Sequence, residues 1–190
     1  MLIRKLLFRV RLWLSLRTGA REIRMRPLRD REVALVAAMP GGRAAPLHRQ
    51  RLALQRAGQV LYLVAWRGSL PIGHLLLWWA GTDNKPVSPT LAGSADLSDL
   101  YVVPAYRSRG IGTRLMDAAE AEVRRRGFTQ LGLDVSTDNP RARVFYERRG
   151  YRDAGFGART VYWTDADVHG AKQEVESVYV YLVKPLPPLQ

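Results

Sequence analysis

The strongest chemical signal in the chain is a short turn. Leu97-Ser98-Asp99-Leu100-Tyr101-Val102-Val103-Pro104 reads as a strand, and Arg107-Ser108-Arg109-Gly110-Ile111-Gly112-Thr113 leads from it straight into a helix. A strand feeding a glycine-bearing turn and a helix N-terminus is an anion site. Its first amides lack intrahelical acceptors, the helix dipole favours negative charge, and glycine lets a phosphate approach the backbone. Arg107, Arg109 and Arg114 add positive charge around it. The turn is not a Walker loop, because no Gly-Lys-Ser/Thr follows, and not a Rossmann fingerprint, because Leu115 holds the third glycine position. Other chemistries are absent from the residue list. With no cysteine there is no thiolate nucleophile, Cys-ligated zinc or iron–sulfur cluster. His48, His74 and His169 show no ligand spacing and read as background, and Asp165-Ala-Asp167-Val-His169 reads as an ordinary polar loop, so no metal is expected.

The elements that would position this turn follow from periodicity and punctuation. Residues 22–28 alternate as a first strand. Asp30 reads as the N-cap of a helix through Val36, ended by Pro40-Gly41-Gly42. A polar helix or loop covers residues 48–58. Residues 60–66 and 71–80 are two strands joined by Arg67-Gly68-Ser69, a hairpin signal. Residues 81–94 are a Gly/Pro/Asp/Asn-rich loop, 97–103 a strand, 110–126 a helix and 128–136 a strand. A short helix over 140–149 starts on Pro140 and stops at Gly150. Residues 160–163 and 175–183 are late strands separated by a polar loop, and Lys184-Pro-Leu-Pro-Pro is an extended tail. Strand–helix–strand in the middle implies a parallel crossover and the early hairpin an antiparallel pair. The expected fold is α/β: a mixed, mostly antiparallel sheet with helices on both faces.

At 190 residues the chain has room for one domain plus a short appendage. Its net charge of +13 rests on 30 Lys+Arg against 17 Asp+Glu, so polyanions such as nucleic acid, anionic lipid or a phosphorylated cofactor are attracted. Residues 1–20 stand apart as a basic amphipathic extension of a domain covering 21–190. Ile3, Leu6, Leu7, Val10, Trp13 and Leu14 recur at helical spacing, with Arg4, Lys5, Arg9 and Arg11 mostly on the other side. No apolar run reaches the roughly 18 residues of a spanning helix. The favoured reading is a helix packed on the domain or on a second subunit, compatible with a homodimer. A helix lying on anionic lipid is the less favoured one.

The segment from Leu97 to Tyr151 carries more than the turn. Arg-x-x-Gly-x-Gly follows a strand ending Val-x-Pro. A helix, a strand, Asn139 and Phe145-Tyr146-Glu147-Arg148-Arg149-Gly150-Tyr151 come after it. This combination resembles the GNAT superfamily of acyl-CoA-dependent N-acetyltransferases, closely over these residues and in element order from about Arg21 to Lys184; residues 1–20 lie outside the resemblance. The resemblance implies that fold, and acetyl-CoA or another acyl-CoA as donor. Its pyrophosphate would sit on the amides of Ser108, Arg109, Gly110, Ile111, Gly112 and Thr113, flanked by Arg107. Its pantetheine arm would pair with the backbone of Leu100, Tyr101 and Val102, in a gap where the fourth and fifth strands splay. Asn139 matches a cofactor-contacting position and also reads as an N-cap before Pro140.

The resemblance also implies roles. Tyr146 matches the usual general acid, a phenol that protonates the departing thiolate; on its own residue type it reads as packing of helix on sheet. Asp99 matches the strand position where many relatives place an acid toward the acceptor amine, and would set the acidic limb of a pH–rate profile. Asp134 and Asp96 are the alternative bases, with water beyond them. Each carboxylate also reads as a solvated strand-end group paired with arginine. Trp78 and Trp79 end the third strand, one facing the core and the other near the acceptor. The expected function is transfer of an acetyl group from acetyl-CoA to a small-molecule or peptide amine by direct attack, in a reducing, cytoplasmic setting. A non-catalytic CoA-binding sensor or partner module is the alternative. Nucleic acid is not an expected partner.

Overall fold

The computed structural model describes residues 2–17, 22–40, 43–81, 86, 89–166 and 172–187. Asp167, His169, Gly41 and Gly42 lie outside them. Helix α1 spans Leu2–Arg17 and strand β1 Ile23–Pro27. A 3-10 turn at Asp30–Glu32 precedes α2 (Val33–Val36) and α3 (Ala45–Arg56). Then come β2 (Val60–Arg67), β3 (Leu70–Trp78), β4 (Ser94–Val102), α4 (Ile111–Arg125), β5 (Gln130–Ser136), α5 (Pro140–Arg148), β6 (Arg152–Ala166) and β7 (Lys172–Pro185).

The chain divides into two compact units, residues Met1–Trp79 with Leu97–Glu122, and Ala80–Asp96 with Val123–Gln190. In the first, the strand order is β1-β2-β3-β4; in the second, from the start of β4, it is β4-β5-β7-β6. The pairs β1/β2, β2/β3, β5/β7 and β6/β7 are antiparallel, in a sheet that is mixed as a whole.

The first unit is built on the β2–β3 hairpin. Tyr62 to Trp66 and Leu70 to Leu77 are buried without interruption, as strands covered on both faces must be. The turn at Gly68 takes a left-handed φ of 61°. Asp30 is not the cap read from the sequence. Arg29 occupies that position, and the buried Glu32 accepts its backbone N–H at 3.1 Å and the Arg26 guanidinium at 2.7 and 2.8 Å. That geometry needs a carboxylate three residues on, which Glu32 supplies and Asp30 cannot.

Gly73 sets the spacing between β3 and β4. A Cβ there would lie 2.7 Å from the Tyr101 carbonyl oxygen and 3.4 Å from the Val102 Cα. Backbone cannot swing aside as a side-chain tip can, so Gly73→Ala should destabilise the protein by about 1–3 kcal/mol, the usual range for overpacking. Chemical denaturation measures this; an unchanged midpoint would contradict it.

In the second unit, β6 and β7 form a hairpin much longer than the sequence suggested. Its register shifts between Asp153 and Ala158, at Gly155 (φ 80°) and Gly157 (φ 71°). The glycines make an irregularity inside a strand. The tail is also anchored: Leu186 is fully buried and its N–H donates to the Thr129 carbonyl at 2.7 Å.

Candidate active site

The anion turn takes the form its sequence demands. Ser108 and Gly110 both adopt left-handed backbone, φ 57° and 74°, and α4 begins directly after them at Ile111. Residues 107–110 are exposed. A Cβ at Gly110 would meet nothing within 4 Å, so the space in front of the turn is open. Ile111, Gly112 and Thr113 are the first helical turn, whose N–H groups have no intrahelical acceptor; the Arg114 N–H is the first to bond back, to the Gly110 carbonyl at 3.0 Å. Two of the arginines brace the turn. Arg107 Nε donates to the Val102 carbonyl at 3.0 Å, and Arg114 Nη2 to the Ile23 carbonyl at 2.6 Å. An exposed turn running into a helix N-terminus, held in place and flanked by cations, is suited to an anion.

Asp99 sits in the middle of β4 with a φ of 53°, a left-handed residue inside a strand. Aspartate tolerates this conformation better than most residues. The twist brings its carboxylate to two cations or donors: Arg51 Nη1 at 2.5 Å and His74 Nε2 at 3.2 Å. Burial alone would raise the Asp99 pKa, but the His74 hydrogen bond and the Arg51 charge outweigh it and hold the carboxyl far below the usual carboxylate range. The ion pair with Arg51 and the His74 hydrogen bond thus favour the ionised form of Asp99.

Sequence separation hid the rest of this cluster. His48 and Arg51 are three residues apart on one face of α3. Tyr62 on β2 and His74 on β3 share a sheet face, because Val64, two residues from Tyr62, pairs with His74. Their rings lie 5.4 Å apart, and His48 and His74 6.1 Å apart. The histidines read as background thus meet in a buried network. His48 Nε2 donates to the Arg43 carbonyl at 3.0 Å, which leaves Nδ1 to accept from the Tyr62 hydroxyl at 2.7 Å. That tautomer is the neutral one, and burial, with His74 and Arg51 nearby, pushes the His48 pKa down to about 4. His74 Nδ1 is buried and makes no hydrogen bond. The Tyr101 hydroxyl donates to the Pro40 carbonyl. Trp78, half-buried, donates from Nε1 to Ser98 Oγ at 2.8 Å.

The second unit holds the other candidates. Asn139 caps α5, its Oδ1 accepting the Ala142 N–H at 3.0 Å. Tyr146 is buried on α5 between Phe145 and Tyr151, with ring separations of 5.3 and 5.9 Å. Burial pushes its phenol up to about 12. Asp134 pairs with Arg159 at 2.5 Å; burial raises its pKa against that pairing, and nearby Asp96 adds to the rise. Asp96 is 1% exposed and accepts the Tyr181 hydroxyl at 2.5 Å. Among the described residues no group of acids and histidines is arranged to hold a metal ion.

A family model, Acetyltransferase (GNAT) family, matches residues 29–151, more than half of the chain and the whole stretch from the β1–α2 connection through the anion turn to Tyr151. The chain belongs to the GNAT acetyltransferase family. This GNAT chain is 43% identical over 61 residues to the uncharacterized N-acetyltransferase YhfO of Bacillus subtilis, covering 32% of the chain and 41% of that protein. It is 38% identical over 52 residues to N-alpha-acetyltransferase 30 of Schizosaccharomyces pombe, covering 27% of the chain and 35% of that protein. The matches thus span less than half the length of these curated relatives. Among solved structures, an N-acetyltransferase from Staphylococcus aureus Mu50 superposes with a TM-score of 0.66 at 13% identity, covering 87% of this chain and 99% of that one. The ribosomal-protein-S18-alanine N-acetyltransferase of Escherichia coli superposes with a TM-score of 0.63 at 16% identity, covering 89% and 97%. At those identities the likeness is one of fold, and it places the GNAT fold across most of the chain.

Proposed function

We propose that the protein is an N-acetyltransferase that moves an acetyl group from acetyl-CoA to an amine. The observation that carries the reading is the open, arginine-braced turn at 107–113 within a chain of the GNAT family. When bound, acetyl-CoA supplies an acetyl group activated as a thioester. The amides from Ser108 to Thr113, with Arg107, would hold its pyrophosphate. The backbone of Leu100, Tyr101 and Val102 would pair with its pantetheine amides, and the Asn139 side chain, already used through Oδ1 as a cap, has its amide group left to contact it. Tyr146 keeps its proton over the whole neutral range, because burial holds the phenol near 12. It is thereby a hydrogen-bond donor ready to protonate a departing sulfur as the bond breaks. Calorimetry tests the donor assignment: acetyl-CoA should bind with an affinity that falls steeply as salt rises. Absence of binding would remove the reading.

Asp99 is proposed as the carboxylate that orients the acceptor amine. Held ionised by Arg51 and His74, it accepts a hydrogen bond but is a poor store for a proton, which passes on to water. Its stability linkage has a definite sign. A carboxyl depressed by folding stabilises the protein above its unfolded pKa of about 4 and loses that contribution as pH falls toward its folded value. Asp99→Asn should therefore lower turnover without moving the acidic limb, which reports protonation of the acceptor amine. It should also flatten the loss of stability below about pH 4. A limb that shifts in Asp99→Asn would restore Asp99 as the proton acceptor. The raised pKa of Asp134 makes it the more basic carboxylate, so an acidic limb lost in Asp134→Asn would assign the base there.

A further inference from the structure

Helix α1 is turned the wrong way for a helix that only packs on its own domain. Phe8 is 3% exposed, while Leu6, Leu7, Val10 and Trp13 are 62%, 56%, 48% and 52% exposed. At 100° per residue the four exposed residues fall within an arc of about 120°, and Phe8 lies roughly 160° from its middle. One side of the helix is thus seated through Phe8, and the opposite side presents a continuous apolar stripe to solvent. Scattered exposed apolar residues need no explanation, but four aligned on one helix face do.

The charges on the helix indicate what covers that stripe. Leu2–Arg17 carries Arg4, Lys5, Arg9, Arg11 and Arg17 and no acidic residue. Arg9 and Arg11 are exposed and lie about 40° beyond the two edges of the stripe. An apolar face sunk among acyl chains with arginines reaching sideways to headgroup phosphates is the arrangement of a helix lying in a membrane interface. Trp13 belongs at that boundary, where an amphipathic ring has one side apolar and one side wet. A second copy of the chain is a poor match, since it would bring two acid-free basic helices of a +13 protein face to face. The helix does not cross: no described helix is long and apolar enough to span a bilayer.

We propose that α1 docks the protein on an anionic lipid surface through Leu6, Leu7, Val10 and Trp13, with Arg9 and Arg11 on headgroup phosphates. The test is co-sedimentation of the full chain with vesicles of phosphatidylcholine alone and of phosphatidylcholine with phosphatidylglycerol. Binding should appear with the anionic vesicles. Leu7→Ser/Val10→Ser keeps every charge and should weaken partitioning by about a hundredfold, roughly tenfold per apolar side chain withdrawn from lipid. Arg9→Ser/Arg11→Ser should weaken it by about 25-fold, near fivefold per charge. All four side chains are exposed, so the melting temperatures and acetyl-CoA affinity of both variants should match wild type, which separates this result from the activity of the GNAT site. Three outcomes would overturn the proposal. One is no binding to anionic vesicles. Another is binding that salt abolishes but Leu7→Ser/Val10→Ser leaves intact, which would assign it to the field of the whole protein. The last is a dimer dissolved by that same variant with no vesicle binding, which would make a second copy the occupant of the stripe.

Discussion

Tyr146→Phe should lower kcat by roughly 10²–10⁴, the range for a lost general acid, and leave acetyl-CoA affinity and melting temperature near wild type. The substitution deletes one hydroxyl. The ring stays packed against Phe145 and Tyr151, and the helix cap at Asn139 is untouched. Because burial holds the phenol near 12, the wild-type rate should show no alkaline loss from Tyr146 below about pH 10. A variant with full turnover, where chemistry limits the rate, would show that the proton reaches sulfur from elsewhere.

The second large effect is on donor binding. Gly110→Asp and Gly112→Asp should each take acetyl-CoA affinity below calorimetric detection. A like charge at about 4 Å costs up to about 4 kcal/mol near a protein surface, on the order of a thousandfold in affinity. Neither substitution should unfold the chain. Position 110 is left-handed, which aspartate tolerates, and has open space for a Cβ. Position 112 is in the first turn of α4, where an acid suits the helix dipole. Gly110→Asn, the uncharged isostere, should keep much of the binding, which separates charge from bulk. Wild-type affinity in either aspartate variant would remove the pyrophosphate from this turn.

Much of this arrangement is legible in the sequence because local rules govern it. Glycine and proline punctuate every helix end from Gly127 to Gly150, and the strand–turn–helix at 97–113 announces its own chemistry. The order of elements follows from such signals. What escapes them is set by contacts remote in sequence. Arg51 and Asp99 are 48 positions apart, and no periodicity foretells that α3 and the twisted residue of β4 bring them to 2.5 Å. His48 and His74 look like isolated residues until the β2–β3 register and the α3 face are known together. The length of β6 and β7 was hidden for a related reason: glycines such as Gly155 and Gly157 give no strand signal, and β6 continues past them only because β7 pairs with it on both sides of the irregularity. The one local clue that was available at Asp99 was its residue type, since aspartate is among the few side chains that accept a positive φ.

Amine-dependent release of CoA from acetyl-CoA, followed over a panel of small amines, aminated antibiotics, peptide N-termini and protein lysines, tests the central claim most directly when wild type and Tyr146→Phe are run side by side. Transfer to at least one amine class by wild type, reduced roughly 10²–10⁴-fold in the variant, is the predicted result. Acetyl-CoA that binds at 107–113 and stays intact with every class, in wild type as in the variant, would contradict it and make the protein a CoA-binding module without catalysis.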